Sequence, residues 1–554
     1  MVRFVEARER RHEEHRGEEP DEERQEKSAL EEARLSAWKD FVRCHGWGRY
    51  QDAFLAAGLA AVAMSVRLAF LPVDPVPIPR IHDEFSYLLA ADTFAHGRLT
   101  NPTPPAADFL ETFHVLVRPT YMSKYPVAQG LVLAAGQVLF GHPWWGVLAS
   151  AGAMCAAVFW ALRGWLPRRW ALLGGLATAL RYGAADYFVD SYWGGAVAAA
   201  GGALVFGATG RLLARSGSRA HPVGTGLVFG LGAAVLLHSR PWEGLLLCVP
   251  FAAALIARVA RDGARSAAAR SLAAALLPLV FAGAFLLYDA ARVTGSPWKL
   301  PHRAYSEQYQ PASLFLVGGD LSVPPSRHAQ LRRTFMEWEP QAYSPKTGRF
   351  AADWTGSLVR WFRTVRVLAG ACVAAIAVAA LSGGRRFRLP IAALAFFTAG
   401  IGLQRYQFLH YVAPALALFA ALLVAALRES VLRFRGAAPA LVRASFVLAA
   451  ILLGVRAFGN AVRPVAPAAS LRRSVEEVLA AQRGGHVVAV RYAPDHDVHT
   501  EFVFNAADVG GAKIVWLRDP PPAERAGVAS AFPGRRAWVL EPDQSGQLRP
   551  YRAP

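Results

Sequence analysis

From about residue 53 onward, long apolar runs alternate with short polar clumps, and the runs set the topology. A helix needs about 20 apolar residues to cross a hydrocarbon core of ~30 Å. By that measure the runs 53–71, 144–163, 170–187, 194–213, 223–238, 244–260, 271–290, 362–381, 389–403, 410–427 and 440–458 predict about eleven transmembrane helices. Pro72, Pro75, Pro77 and Pro79 end the first run and force the chain into extended geometry. Ile81–Ala91 then reads as a short amphipathic helix, broken again by Pro102, Pro104 and Pro105. Tyr125–Phe140, entered through Lys124-Tyr125-Pro126, is too short to cross and predicts a juxtamembrane helix lying on or dipping into the surface.

The two ends differ from this middle. Glu6–Glu32 is a dense mixture of Glu, Asp and Arg with no apolar stretch, which excludes a signal peptide and predicts a solvated cytoplasmic extension over 1–50. His12 and His15 fall in that charge run and make a weak metal site. After a linker at Pro464 and Pro467, the tail predicts a helix over Ser470–Gln482 and buried strands over His486–Tyr492, Lys513–Leu517 and Arg536–Leu540. The chain therefore reads as mainly α, a polytopic helical membrane protein, in three parts. These are the extension 1–50, a membrane domain 51–460, and a small soluble α/β extracytoplasmic domain 463–554.

Composition narrows the class. Hydrophobic residues make up 54% and charged residues 18%, where a soluble domain carries roughly 25% charged; mean hydropathy is +0.24. Four cysteines without metal-ligand spacing exclude a disulfide scaffold and a cysteine-built metal framework. The net charge of +19 invites a nucleic-acid reading, but the Arg residues recur in clumps between apolar runs instead of clustering on one soluble surface, which argues for no nucleic-acid partner. The Arg and Ala bias suits a bacterial, GC-rich genome. Placing Arg163–Arg169, Arg211–Arg219, Arg258–Arg270, Arg385–Arg388 and Arg428–Arg435 on one side with the N-terminus satisfies the positive-inside rule if Tyr125–Phe140 does not cross. That puts the N-terminus in the cytoplasm and the C-terminus outside. The outer side then receives 72–143, 187–193, 238–243, 291–358, 404–409 and the tail, which hold most of the uncommon polar residues near the membrane.

Five of these outer elements carry candidate chemistry. Asp83 and Glu84 stand at the start of the helix after the first span. Paired carboxylates raise each other's pKa and suit proton acceptance or metal binding, though a carboxylate there also caps a helix. Lys124-Tyr125-Pro126 sets a cation where the chain meets the membrane, suited to an anionic head group. Asp186 and Asp190, followed by Tyr192 and Trp193, put two carboxylates and an aromatic pair at a membrane edge. Arg240-Pro-Trp-Glu243-Gly places an Arg at a helix start, where a phosphate binds well. Arg405-Tyr406 and His410-Tyr411 make a further basic-aromatic turn. Together they suggest one cavity with carboxylates for base work and cations for a phosphate, near lipid.

These motifs, in this order, resemble the C-type membrane glycosyltransferases, the GT-C superfamily of protein O-mannosyltransferases, the lipid A aminoarabinose transferase and related bacterial enzymes. The resemblance covers about residues 50–460 and rests on Asp83-Glu84 in the first outer loop, Lys124-Tyr125-Pro126 at the juxtamembrane segment, Arg240-Pro-Trp-Glu243-Gly, and His410-Tyr411 with Pro414. One proline follows Lys124 where the family often has two, and neither the charged extension nor the tail is a general family feature. The resemblance implies sugar transfer from a polyprenyl-phosphate donor to a protein, lipid or glycan acceptor, with inversion, at the outer face of the bacterial cytoplasmic membrane. It makes Asp83 the general base, with Glu84 supporting it or binding acceptor. Lys124, Arg240, and Arg405 or His410 neutralise the leaving phosphate. Tyr125, Asp186, Asp190, Tyr192, Trp193, Glu243 and Tyr411 fall to substrate binding. No cofactor is required, and a divalent metal is compatible. The long loop 291–358 suits closure over the acceptor, with Trp298, Tyr305, Tyr309, Trp338 and Tyr343 as rings for stacking on sugar faces. Two other classes fit the topology: a transporter or flippase for a lipid-linked saccharide, and a non-enzymatic envelope assembly protein. The absence of an internal repeat and the gathering of polar groups at one membrane edge favour the enzyme.

Overall fold

The computed structural model describes residues 47–183, 186, 188–214, 221–263, 265–364, 386–434 and 467–551, with scattered positions between 370 and 378 and between 436 and 459. Almost all of the charged extension with His12 and His15, most of the runs 362–381 and 440–458, and the linker at Pro464 lie outside the described residues. The chain divides into two compact units, 1–57 and 58–554. Of the first, only the opening turns of one helix are described.

The helices run in order as α1 (Trp47–Ala69), α2 (His82–Ala95), α3 (Val127–Phe140), α4 (Trp144–Trp165), α5 (Arg168–Tyr182), α6 (Ala196–Leu213), α7 (Pro222–Leu237), α8 (Pro241–Asp262), α9 (Ala267–Thr294), α10 (Pro301–Tyr309), α11 (Phe350–Thr364), α12 (Arg388–Ile401), α13 (Leu416–Arg433), α14 (Pro467–Ala480) and α15 (Arg525–Ala531). Between α10 and α11 the chain winds through Ala329–Arg332, a π-helical turn Arg333–Trp338, and Glu339–Tyr343. Among the described residues six helices are long and apolar enough to cross a membrane: Tyr50–Ala69, Trp144–Trp165, Ala196–Leu213, Pro241–Asp262, Ala267–Thr294 and Leu409–Arg433. Of the eleven runs the sequence predicts, 362–381 and 440–458 lie mostly outside the described residues. The runs 223–238 and 389–403 form shorter apolar helices, and 170–187 ends at Tyr182, where Arg181 turns to pair with Asp186. Helix α3 has 14 residues and is about 21 Å long, so it falls short of a crossing, as its sequence predicts.

Helices α4 and α6 and the Leu409–Arg433 segment are mostly buried, whereas α9 exposes Leu276, Val280 and Phe281. Close approach in the middle depends on residues without side chains. A Cβ on Gly202 of α6 would stand 1.8 Å from the Pro414 carbonyl oxygen, and one on Gly226 of α7 would stand 2.1 Å from that of Ser271. Small residues let helix backbones touch where lipid supplies no hydrophobic drive.

Helix α2, expected as a short amphipathic helix, is buried on several faces, with Glu84, Ser86, Tyr87, Leu89, Ala91 and Thr93 all inside. A two-stranded ribbon follows, β1 (Val115–Leu116) antiparallel to β2 (Met122–Ser123), and its open end places His114 beside Lys124, whose N–H donates to the His114 carbonyl at 3.1 Å. In the tail, β3 (His486–Val490) lies parallel to both β4 (Ile514–Arg518) and β5 (Arg536–Leu540), and β6 (Leu548–Pro550) closes the edge antiparallel to β5. The sheet order is β4-β3-β5-β6. Period-two alternation gives the sheet two apolar faces. Val488, Val490 and Trp516 pack under Val475 and Leu479 of α14. Ala489, Val515 and Leu517 pack with Val528 and Phe532 and, across the junction, with Leu89, Phe109, Val117 and Tyr121. The tail therefore shares a hydrophobic core with α2 and the loop behind it.

Gly202→Ala forces backbone apart and is expected to cost roughly 1–3 kcal/mol, the usual range for overpacking. Gly283→Ala in α9, where a Cβ meets nothing within 4 Å, is expected to be neutral or slightly stabilising. Thermal unfolding of the detergent-solubilised protein distinguishes them: Tm falls for the first and holds for the second.

Candidate active site

The first turn of α2 is fixed by Glu84. Its Oε2 accepts the backbone N–H groups of Arg80 (2.8 Å) and Ile81 (3.3 Å), and its Oε1 accepts that of Tyr192 (3.1 Å). Burial raises the Glu84 carboxyl above its ordinary range, and these three N–H groups offset only part of that. Glu84 is thus turned inward as a cap and cross-link, and its neighbour Asp83 faces a cavity of about 360 Å³. Ser86, one turn on, ties α2 to the ribbon by donating to the His114 carbonyl (2.7 Å) and bonding Ser123 (2.8 Å).

Asp83 is surrounded by donors. Tyr125 donates its hydroxyl to Oδ1, His82 Nδ1 lies 3.1 Å and His114 Nε2 3.8 Å from Oδ2. Burial alone would raise this carboxyl, but the two imidazoles and the tyrosine hydroxyl hold it well below the usual carboxylate range. Burial and the adjacent Lys124 push the His114 imidazole well below its ordinary value and the His302 imidazole down to about 3. The His114 and His302 imidazoles are therefore neutral at pH 7.

Lys124 is buried in the same cavity. Its Nζ reaches Gln310 Oε1 at 3.4 Å and lies 4.5 Å from the centre of the Tyr305 ring. Burial brings its ammonium down to about 8, with Glu339 and Asp83 acting in the opposite sense. Gln310 and the Tyr406 hydroxyl both donate to Glu339. Helix α3 begins against the turn before α8, its Ala128 N–H donating to the His238 carbonyl at 2.9 Å. That contact brings Arg240 to the cavity, with its guanidinium 5.2 Å from the centre of the Tyr411 ring. Trp193 and His410 complete this wall, 5.2 Å between ring centres. A second, mainly apolar groove of about 600 Å³ adjoins the first; Tyr125, Lys124, Arg240, His302 and Tyr411 line both.

The sequence-derived candidates divide accordingly. Asp83, Lys124, Tyr125, Trp193, Arg240, His410 and Tyr411 come together around the cavity, and Glu243 lines the groove, where it accepts from Gln404 (3.1 Å). The others face elsewhere. Arg405 donates to Asp320 (2.7 Å) and to the Phe315 carbonyl (3.1 Å), bracing the 311–321 loop. Asp190 pairs with Arg67 at 3.0 Å and Asp186 with Arg181. Tyr192 spends its hydroxyl on the Pro77 carbonyl. Of the loop aromatics, Trp338 and Tyr343 line the cavity, Tyr305 and Tyr309 are core residues, and Trp298 is exposed. Sequence reasoning assigned no role to His82, His114, His302, Gln310 or Glu339. His82 directly precedes the Asp83-Glu84 motif, but His114 lies ten residues before Lys124 and needs a backbone φ of 62° to face Asp83, a conformation no pattern announces.

His82, Asp83 and His114 each offer a ligand atom within 4.8 Å of the others. The buried Nδ1 of His114 has no hydrogen-bond partner among the described residues. Two imidazoles and one carboxylate suit a borderline transition ion such as zinc better than magnesium or calcium.

Because Lys124 loses its proton near pH 8, affinity for an alkyl phosphate is expected to be full below that value and to fall as pH rises through it. The loss is roughly tenfold or more, the value of one charge-assisted hydrogen bond. Titration calorimetry from pH 6.5 to 9.5 reads this directly, and Lys124→Arg is expected to remove the pH step while keeping the cation.

No family model matches the sequence, and no curated protein does. Solved structures do. ArnT from Cupriavidus metallidurans in the apo state aligns over 90% of this chain and 93% of its own, at 14% identity and a TM-score of 0.50. The same protein bound to undecaprenyl phosphate aligns over 87% and 92%, at 14% identity and 0.48. The Archaeoglobus fulgidus oligosaccharyltransferase in complex with Zn and sulfate aligns over 78% of this chain and 60% of its own, at 11% identity and 0.43. Over 90% of its length the chain thus has a fold similar to that of ArnT from Cupriavidus metallidurans.

Proposed function

We propose that the protein is a membrane glycosyltransferase that moves a sugar from a polyprenyl-phosphate donor to an acceptor hydroxyl at the outer face of the bacterial cytoplasmic membrane, with inversion. The observation that carries this reading is a lining shared between two spaces. A cavity with two acidic side chains, Asp83 and Glu339, and two cations, Lys124 and Arg240, shares part of its lining with a mainly apolar groove, and both cations belong to the shared part. A lipid phosphate with a sugar on one side and a polyprenyl chain on the other matches that division. ArnT bound to undecaprenyl phosphate, among the similar folds, is consistent with it.

In this reading the polyprenyl chain lies along the groove and the phosphate meets Lys124 and Arg240, with His410 beside them. The sugar C1 then faces Asp83. The bond from C1 to the phosphate oxygen breaks, the electron pair leaves with the polyprenyl phosphate, and the acceptor oxygen bonds to C1 from the opposite side. Asp83 takes the acceptor's proton. Its low pKa makes it a weak base toward a free alcohol, so proton transfer belongs late, when the forming bond has made the acceptor hydroxyl acidic. Tyr125 and His82 hold the carboxylate in place, and the cations stabilise the negative charge that grows on the phosphate. No cofactor is required. A divalent ion on His82, Asp83 and His114 would add a Lewis acid beside the acceptor oxygen. Glu84 and Arg405 act through the backbone and loop they hold.

Asp83→Asn is expected to lower transfer of labelled sugar from a panel of polyprenyl-phosphate donors by roughly 10²–10⁴-fold, the usual range for losing a general base, at unchanged protein abundance in membranes. Equal transfer by both proteins overturns the assignment of Asp83, whereas no transfer by the wild type from any donor favours the transporter and assembly readings.

A further inference from the structure

The cavity has two chemically distinct ends. Lys124, Arg240, His302 and Tyr411 also line the groove, so they mark the phosphate end. His82, Trp338, Tyr343 and His499 line the cavity alone. In a single displacement the acceptor must enter opposite the leaving phosphate, so it reaches Asp83 from this second end.

That end is built from three separate parts of the chain. His82 comes from α2, Trp338 from the π-helical turn, and His499 from the tail. The His499 ring stacks on His82 with centres 5.8 Å apart and planes 29° apart, and it meets Trp338 nearly perpendicular, at 5.5 Å and 83°. Trp338 in turn meets Tyr343 at 5.6 Å and 87°. The result is a corner of flat aromatic walls, two imidazoles, an indole and a phenol. A pyranose ring has this complement: faces of C–H groups that lie on aromatic rings, and a rim of hydroxyls. Glu339 and Asp83 stand among these walls as acceptors for such hydroxyls.

The corner is also held rigidly. The His499 N–H donates to Asp497 Oδ1 (3.0 Å), Thr500 N–H to the Asp497 carbonyl (2.9 Å), and Arg333 from the neighbouring turn to the Pro494 carbonyl (3.0 Å). His496, beside this loop, is paired with Asp543 at 2.6 Å. A peptide acceptor is usually met by a strand edge or an extended backbone groove. Among the described residues this end presents side-chain rings and carboxylates, with no strand edge.

We infer that His499, Trp338 and His82 form the acceptor subsite, and that the acceptor is a saccharide: a ring hydroxyl of a glycan or glycolipid presented to Asp83. This rests on the transferase reading above and narrows it, since it commits to one acceptor class and gives the tail a part in binding it.

The test follows label from polyprenyl-phosphate sugars into two acceptor panels, oligosaccharides with glycolipids on one side and Ser/Thr peptides on the other, using the full-length protein in membranes. Label is expected in the saccharide panel. His499→Ala and Trp338→Ala are expected to raise the acceptor KM by roughly tenfold, in keeping with the loss of an aromatic contact, and the donor KM by less than about twofold. His499→Phe and Trp338→Phe, which keep a ring, are expected to recover most of the acceptor affinity. Label on peptide hydroxyls, an unmoved acceptor KM, or a donor KM that rises in step overturns the subsite while leaving the transferase reading intact. A wild type that transfers no label from any donor overturns both.

Discussion

Glu84 is a buried carboxyl that takes three backbone N–H bonds, two from the proline-rich segment before α2 and one from Tyr192. Burying such a group is costly unless its hydrogen bonds are made. Once made, they lock three pieces of backbone together: the exit from α1, the first turn of α2, and the turn before α6. Asp83 is the next residue, so its direction follows from that lock. Ser86 continues it by tying the same helix to the His114–Lys124 ribbon. The carboxylate and the ammonium of the cavity are thereby held by backbone geometry, and neither depends on the other for its place.

The electrostatics follow from this packing. Lys124 lies close to His114 and His302, and its charge together with burial keeps both imidazoles neutral. Neither of these two imidazoles adds positive charge at pH 7, and the cations Lys124 and Arg240 line the groove as well as the cavity. A cavity that kept every basic group protonated would attract anions indiscriminately along its whole length. Here the anion-binding end and the carboxylate end remain separate over a short distance.

Hydropathy made the helical architecture legible, and residue type at membrane edges made part of the cavity lining legible. Asp83 stood out between a proline break and a helix, and Lys124, Arg240 and His410 as cations flanked by aromatics. What the pattern did not contain was partnership. Arg405 has the right type and the right turn, but Asp320, 85 positions away, claims its guanidinium. Asp186 and Asp190 looked exposed at a membrane edge and are instead matched by Arg181 and Arg67. Glu84 and Asp83 are adjacent in sequence yet face opposite ways, a distinction made by the pitch of the helix and by Tyr192, 108 positions on. The tail illustrates the same limit. Its strands were readable from their apolar runs, but the use of one sheet face to cover α2 was not, because that face is apolar under any covering.

The shared core between the sheet and α2 has a temporal side. Asp92, near the end of α2, accepts the Ala507 N–H from a position 415 residues later, and Phe85 stacks on Phe504 at 4.3 Å. A nascent chain that has made α2, the ribbon and the central helices still has Leu89, Phe109, Val117 and Tyr121 uncovered. The sheet that buries them has not yet been synthesised. The cavity therefore matures last, after every membrane-spanning helix described here is already in place, and a ribosome that stalls within the tail leaves a bundle whose first loop is open to water.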